Sequence, residues 1–356
     1  MKFSTHIFRK VLKKVRNPFK RLKIFIKHQL GWLGIPTIIA YEGYGNSSEV
    51  NMTGMVLEDK GLDKPKAGQS KWKNFLAALK RFSGDDIPGI QVKVSFKGKS
   101  QVTETDEFGL FSVKFRDLNL KAGEKHFYQA QLMDEVEEGQ PKVVASAEVF
   151  VPSPEASYGV VSDIDDTILV SYASRSLKKL WIVLFKNALT RRSFEGFSDL
   201  YQSLHAKGKE KNPVFYLSNS EWNLFDLLRD FREHNHFPRG PFLLRPMKRG
   251  GFKLFFTGKA KEQHKLEKIA LLFTIYPDMK FVLVGDSGQH DPLVYTEMAR
   301  KRPERIKAIF IRRISPGMNR NKLNRLRQEM ADVGIDLYLF DNTEEAREHA
   351  RETGLL

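Results

Sequence analysis

Residues 160–168 read VVSDIDDTI, an apolar strand pattern that runs directly into the carboxylates of Asp163 and Asp165. Two acidic side chains two residues apart at the end of a strand repel each other unless a positive group neutralises them. A divalent cation does this, and hard oxygen ligands suit Mg²⁺. The stretch therefore predicts a buried strand that ends in a metal-binding loop.

Two further strand ends carry polar side chains. The run FYLSNS ends in Ser218, Asn219 and Ser220, and FVLVGD ends in Asp286, with Asp291 five residues later. Between Tyr158 and the end of the chain, such apolar runs alternate with helical ones, for example 222–234 and 262–276. This alternation is typical of an α/β domain with a parallel sheet, in which active sites lie at the carboxyl ends of the strands.

These motifs, taken in order, resemble those of the haloacid dehalogenase superfamily of phosphotransferases. The matching positions are Asp163, Asp165 and Thr167 for D-x-D-x-T, Ser218 for the hydroxyl motif, Lys265 for the lysine motif, and Asp286 and Asp291 for the acidic motif. The resemblance is more specific still, to the actin-patch type of phosphatidate phosphatase over roughly Tyr158 to Arg313. It rests on the sequences SDIDDTI, YLSNS-x-W, HK and GDSGQHDP-x-x-Y. In two places the match is imperfect: Leu293 stands where a Glu is expected, and Lys261 is an alternative to Lys265.

The resemblance implies a role for each matched residue. Asp163 would attack phosphorus, Asp165 would act as acid and then base, and Ser218 and Lys265 would contact the phosphate oxygens. The implied ligands of Mg²⁺ are Asp163, the backbone carbonyl of Asp165, Asp286 and Asp291. The implied substrate-binding residues are Thr167, Asn219, Ser220 and Arg245, although a structural role for Arg245 is equally open.

The resulting prediction is a magnesium-dependent phosphatase that acts on phosphatidate or a related lipid phosphate through an aspartyl-phosphate. Two alternatives remain: a phosphatase of soluble phosphomonoesters, and a membrane-docking or partner-binding module. The basic charge alone does not indicate nucleic-acid binding, because no module with interleaved aromatic residues accompanies it. No nucleic-acid partner is expected.

Residues 35–151 carry a different pattern. Six short runs of β-forming residues are separated by turns marked with glycine, and in one of them Val92, Val94 and Phe96 alternate with polar residues. An alternation of period two is typical of a half-buried strand. We therefore predict an antiparallel β-sandwich over 35–151, joined at VPSPEAS to the parallel-sheet domain over 152–356. The resemblance extends here too, since the opening of this region is similar to the amino-terminal module of bacterial members.

Residues 1–34 form a basic amphipathic segment. Ten Lys or Arg side chains precede the first acid, Glu42, and an apolar stripe runs from Phe8 to Ile26 with a break at Pro18. Such helices lie on anionic membranes, and the alternative is a helix packed on the next domain. We expect a cytoplasmic protein, peripheral on the inner face of the membrane.

Length and composition agree with this organisation. The 356 residues exceed one typical domain, and 41% of them are hydrophobic, enough for packed cores. Lys and Arg outnumber Asp and Glu by 59 to 43, a net charge of +16 that indicates an anionic partner. With no cysteine, disulfides, thiolate zinc sites and cysteine nucleophiles are excluded.

Overall fold

The computed structural model describes residues 5–15, 18–30, 34, 36–58, 86–135, 140–164, 196–245, 258–288, 290–315 and 317–356. These residues fall into two compact units that divide between Val151 and Pro152.

A six-stranded sheet forms the centre of the second unit. Its strands are β9 (Gly159–Asp163), β10 (Val214–Glu221), β11 (Phe242–Arg245), β12 (Phe281–Asp286), β13 (Ile306–Arg312) and β14 (Asp336–Phe340). All five pairings are parallel, in the order β11-β10-β9-β12-β13-β14. Counted from β9, this is the 3-2-1-4-5-6 order of a doubly wound sheet, in which the crevice for ligands opens where the order reverses, between the first and fourth strands. The predicted parallel-sheet α/β unit is therefore confirmed.

Helices connect these strands. They are α3 (Phe197–Ala206), α4 (Phe225–His234), α5 (Gly258–Ile275), α6 (Asp291–Lys301), α7 (Arg320–Asp332) and α8 (Thr343–Glu352). Every residue of β9 and β12 is buried, which explains why both strands read as continuous apolar runs rather than alternating ones. The strand β11 was not predicted, because four residues give too short a pattern to recognise.

Eight strands make up the first unit: β1 (Pro36–Ala40), β2 (Gly43–Gly45), β3 (Val50–Glu58), β4 (Gln91–Phe96), β5 (Lys99–Glu104), β6 (Leu110–Phe115), β7 (His126–Leu132) and β8 (Val144–Phe150). They form one large and mostly antiparallel sheet, in which only β2 and β8 pair in parallel among the described strands. The predicted alternation is confirmed in β4, where Val92, Val94 and Phe96 are buried. The strand β5 was missed because its side chains are polar and mostly exposed.

Two helices precede this sheet in the same unit. They are α1 (Thr5–Lys14) and α2 (Pro18–Gln29), so Pro18 separates them as the sequence predicts. Phe8, Val11, Val15 and Ile24 are buried in the hydrophobic core of the β-unit. Ion pairs hold the helices there, from Lys10 to Asp134, from Lys14 to Glu104 and from Lys27 to Glu58.

The apolar stripe of the first 30 residues is therefore divided. Its first part packs on the β-unit, whereas Phe19, Leu22 and Ile26 are exposed. Within the described ranges, we find no helix with the length and apolar character needed to cross a membrane.

Candidate active site

Three buried carboxylates meet at the carboxyl ends of two neighbouring strands. Asp163 is the last residue of β9, Asp286 is the last residue of β12, and Asp291 is the first residue of α6. Each of these three residues is at most 1% exposed. One oxygen from each lies within 4.8 Å of the others. The cluster thus sits at the point where the strand order of the sheet reverses, as expected for a ligand site in a doubly wound fold.

Gly285 creates the space for Asp291. A Cβ atom at residue 285 would lie 2.5 Å from Asp291 Oδ2 and 2.8 Å from Tyr295 Cε2. Contacts this short do not occur in well-packed interiors, so a side chain here would displace the carboxylate. A glycine before the last acid of β12 is therefore part of the site's construction.

A buried ammonium group compensates two of the acids. Lys265, on α5, is 2% exposed, and its Nζ donates to Asp163 Oδ1 at 2.6 Å and to Asp291 Oδ1 at 2.5 Å. Charge-assisted bonds of this kind in a dry site are strong and fix the orientation of both partners. The side chain of Lys261, the alternative lysine, lies outside the described residues.

The predicted hydroxyl residue lies on the neighbouring strand. Leu217 of β10 pairs with Asp163 of β9, so Ser218 follows one position beyond Asp163 along the sheet. Ser218 is fully buried, and its Oγ accepts a hydrogen bond from the backbone N–H of Ser220 at 2.9 Å. Asn219 and Ser220 are partly buried at the same strand end. Arg245, the last residue of β11, is 5% exposed and pairs in register with Glu221.

His264 was given no role from the sequence, and the structure shows a definite contact for it. It is 9% exposed, and its ring hydrogen-bonds to the backbone of Ser218. Burial, helped by the positive charges of Lys268 and Arg245, lowers the pKa of His264 to about 3. The imidazole is therefore neutral near pH 7. Its position directly before Lys265 was the only sequence signal.

Two buried tyrosines, Tyr201 and Tyr295, stabilise the ends of the strands that carry the acids. Ser162 Oγ donates to the backbone carbonyl of Asp163 at 3.0 Å and lies 2.5 Å from the Tyr201 hydroxyl. Tyr295 donates to the carbonyl of Val284 at 3.2 Å. Burial raises the pKa of both tyrosines, so both remain protonated donors. They hold the backbone at the ends of β9 and β12, where Asp163 and Asp286 lie.

The remaining predicted residues, Asp165 and Thr167, lie outside the described residues. Of the predicted site, the structure thus brings together Asp163, Asp286, Asp291 and Lys265 by direct geometry and places Ser218 alongside. Three clustered carboxylates are an all-oxygen donor set, which fits a hard divalent cation. The donor set alone does not identify the metal as Mg²⁺.

A family comparison covers the segment that carries this cluster. Residues 158–313 match the family described as "Phosphatidate phosphatase APP1, catalytic domain". The chain is thus similar to this family over residues 158–313. The predicted resemblance is confirmed, since the matched segment runs from the start of β9 past the end of β13.

Two curated relatives are similar to this chain, and one of them is named for the same family. The chain is 30% identical to phosphatidate phosphatase APP1 of Saccharomyces cerevisiae over 247 residues, which are 68% of this chain and 41% of the yeast protein. It is 29% identical to an uncharacterized protein of Schizosaccharomyces pombe over 153 residues, which are 43% of this chain and 24% of that protein. The chain thus spans less than half the length of either relative.

Comparison with solved structures does not help to assign a fold or a function to this chain. A carbohydrate acetylesterase from Xanthomonas citri covers 90% of this chain, with 74% of its own length, at 9% identity and a TM-score of 0.35. A score at this level does not establish a shared fold.

Proposed function

We propose that this protein is a magnesium-dependent phosphatase that hydrolyses a lipid phosphomonoester, phosphatidate or a close relative, through an aspartyl-phosphate intermediate. The observation that carries the proposal is the buried cluster of Asp163, Asp286, Asp291 and Lys265 at the reversal point of the sheet. Burying three carboxylates around one ammonium costs free energy of folding, and such charge clusters are found chiefly at functional sites. The substrate class is inferred from the relatives, because the yeast protein is named a phosphatidate phosphatase.

In the first step, the Asp163 carboxylate attacks phosphorus and the P–O bond to the lipid alcohol breaks. Asp165 gives its proton to the departing alkoxide. In the second step Asp165 takes a proton from water, the resulting hydroxide attacks the phosphorus of the aspartyl-phosphate, and inorganic phosphate leaves with Asp163 restored as a carboxylate. Such acid–base assistance contributes about 10²–10⁴-fold to the rate.

Lys265 and Ser218 have the positions needed to support the phosphoryl group. The Lys265 ammonium contacts the proposed nucleophile directly, so it lies within reach of oxygens on a phosphorus bonded to Asp163. Ser218 lies one residue beyond Asp163 on the adjacent strand. Positive charge and donors around the equatorial oxygens are the main source of stabilisation in phosphoryl transfer. We propose Thr167, Asn219, Ser220 and Arg245 as further substrate contacts.

The metal would be held by Asp163, Asp286, Asp291 and the backbone carbonyl of Asp165. When bound, Mg²⁺ would neutralise the clustered carboxylates and the phosphate oxygens.

The wider predictions form part of the proposal. We propose that the parallel-sheet unit is of the haloacid dehalogenase type, that it follows a β-sandwich, and that the domains run over 1–34, 35–151 and 152–356. We also propose that the protein is cytoplasmic and meets its substrate at an anionic membrane surface, with no nucleic-acid partner.

A substrate panel tests the chemistry. The purified protein is assayed with Mg²⁺ against phosphatidate in mixed micelles and against soluble phosphomonoesters, beside Asp163→Asn and the control Asp199→Asn, which removes an exposed carboxylate from the first turn of α3. We expect phosphatidate hydrolysis by the wild type and the control, and none by Asp163→Asn. Preference for soluble esters would favour the alternative substrate class, whereas unchanged hydrolysis by Asp163→Asn would refute the mechanism.

A trapping experiment tests the intermediate. Asp165→Asn, incubated with phosphatidate labelled in its phosphate and quenched in acid, should retain label that hydroxylamine removes, as expected of an acyl phosphate. The double variant with Asp163→Asn should retain none. Equal labelling of both proteins would exclude Asp163 as the nucleophile.

A further inference from the structure

Helix α2 has two apolar faces, one buried in the β-unit and one largely exposed to solvent. On the inner face, Ile24 is 3% exposed in the core of the β-unit, and His28 stacks on Phe8 with ring centroids 3.8 Å apart. On the outer face, Phe19, Leu22, Ile26 and Leu30 are 82%, 57%, 45% and 51% exposed. Scattered exposed apolar residues are normal, but a contiguous set marks an interaction site.

The four exposed residues form one stripe. They follow each other at intervals of three, four and four residues, which places them on a single side of an α-helix, opposite Ile24. The stripe runs over twelve residues, from Phe19 to Leu30, and its ends lie about 16 Å apart along the axis at 1.5 Å per residue. We call this set, Phe19, Leu22, Ile26 and Leu30, the α2 outer face.

The basic residues of the two helices fall into two groups, one paired with acids of the β-unit and one exposed to solvent. Lys10, Lys14 and Lys27 are paired with Asp134, Glu104 and Glu58, and so attach the helices to the β-unit. Arg9, Lys13, Arg21 and Lys23 are exposed. Lys23 lies four residues after Phe19 and three before Ile26, beside the α2 outer face. Neither helix contains an acidic residue.

We propose that the α2 outer face inserts into the interfacial region of an anionic lipid bilayer, while α1 and the inner face of α2 remain packed on the β-unit. A helix with one apolar face and only basic charges has the chemistry of a membrane-surface helix. Anionic headgroups complement the exposed cations, and long basic side chains reach them while their stems stay in the apolar layer. The proposal rests on the membrane association included in the proposed function, but not on the phosphatase chemistry.

The same charges argue against a second copy of this chain as the occupant. Two α2 helices packed through their outer faces would bring Lys23 of each copy together, with no acid on either helix to compensate the charge. Like charges opposed across an interface weaken association.

The test is flotation of the full chain with vesicles of phosphatidylcholine and phosphatidylglycerol at low and high salt. No phosphatidate is present, so binding is measured apart from hydrolysis. The decisive variant is the double replacement Leu22→Ser and Ile26→Ser. Its matched control is Val102→Ser with Phe127→Ser, since these two residues of the β-unit are each 58% exposed.

We expect the decisive variant to partition at least about tenfold more weakly than the wild type at both salt concentrations, because insertion of apolar side chains does not depend on salt. The control should float like the wild type. A third variant, Arg21→Gln with Lys23→Gln, should lose binding mainly at low salt, where the charges are least screened.

Equal flotation of the decisive variant and its control would overturn the proposal. So would a self-associated wild type, seen by sedimentation velocity, that Leu22→Ser with Ile26→Ser converts to monomer without any change in flotation. Hydrolysis of phosphatidate in detergent micelles, measured on the same proteins, should be unchanged by the decisive variant. Loss of phosphatase activity in every protein, with normal flotation of the wild type, would contradict the proposed function and leave the docking surface supported.

Discussion

Replacing Lys265 with methionine should destabilise the parallel-sheet unit strongly, and by an amount that depends on divalent metal. The Nζ atom of Lys265 lies 2.6 Å from Asp163 Oδ1 and 2.5 Å from Asp291 Oδ1, so its ammonium group contacts the acidic cluster directly. Removing one partner from a buried ion pair leaves an uncompensated charge and costs about 3–5 kcal/mol. Against a typical total stability of about 5–15 kcal/mol, this is a large fraction.

The assay is differential scanning calorimetry in the presence of a chelator. Calorimetry separates the unfolding transitions of the two units. For a domain of this size, each kcal/mol shifts the midpoint by about 2–4 °C, so the expected fall is roughly 6–20 °C. The matched control is Lys268→Met, one turn further along α5. Lys268 is also buried enough for its pKa to be lowered, and the acid that acts on it is Glu267 rather than a member of the cluster. Its replacement therefore removes a lysine from the same helix and leaves the ion pairs of Lys265 in place.

Added Mg²⁺ should restore much of the stability lost in Lys265→Met, because a bound cation takes over the compensation of the three carboxylates. The reasoning would be refuted if Lys265→Met unfolded at the same temperature as Lys268→Met in chelator. A loss of stability that Mg²⁺ leaves unchanged would show that the acids do not form a metal site.

Three further predictions concern the same site. Asp163→Asn should fold normally and release phosphate at less than about 10⁻³ of the wild-type rate, as measured by phosphate release and circular dichroism; substantial turnover would contradict its role. Activity should disappear when a chelator strips the protein of metal and return with Mg²⁺, since three acids within 4.8 Å need a cation; full activity after stripping would exclude a metal requirement. His264, with its pKa lowered from 6.5 to about 3, stays neutral in the folded state while the unfolded state takes up a proton, so its contribution to stability is present above pH 6.5 and is lost as pH falls towards 3. By pH 5 the loss is about 2 kcal/mol, and urea unfolding of His264→Gln should lack this part of the pH dependence; an identical slope in both proteins would contradict the assignment.

Much of the second unit could be predicted because its signals are local. The strands β9, β10 and β12 are apolar runs that end in polar residues, and a parallel sheet brings those ends together without any knowledge of detailed packing. For this reason Asp163 and Asp286 could be placed at one edge of the sheet from the sequence, whereas Asp291 was grouped with them through the family resemblance. The strand β11 could not be found, since Phe242–Arg245 is a run of only four residues.

Contacts that depend on how a helix is placed against the sheet were beyond the sequence. Lys261 and Lys265 lie four residues apart on the same face of α5, so which of them reaches the nucleophile depends on the position of the helix along its axis. The sequence placed four lysines within ten residues of that helix. The bond from His264 to Ser218 depends on the rotation of the same helix. The amino-terminal stripe shows a similar limit, because its periodicity predicts an apolar face but does not reveal that α2 buries Ile24 on one side and exposes Leu22 on the other.

Residue 285 has no side chain, and this makes the residue allowed there depend on residue 291, six positions later. Because a Cβ there would lie 2.5 Å from Asp291 Oδ2, the residues allowed at 285 depend on which residue occupies 291. In a library that randomises both positions, selection for folding should admit alanine at 285 chiefly together with a smaller residue at 291, while selection for phosphatase activity should return glycine and aspartate together. The two sites would then evolve as a pair, at the first and seventh positions of the GDSGQHD stretch.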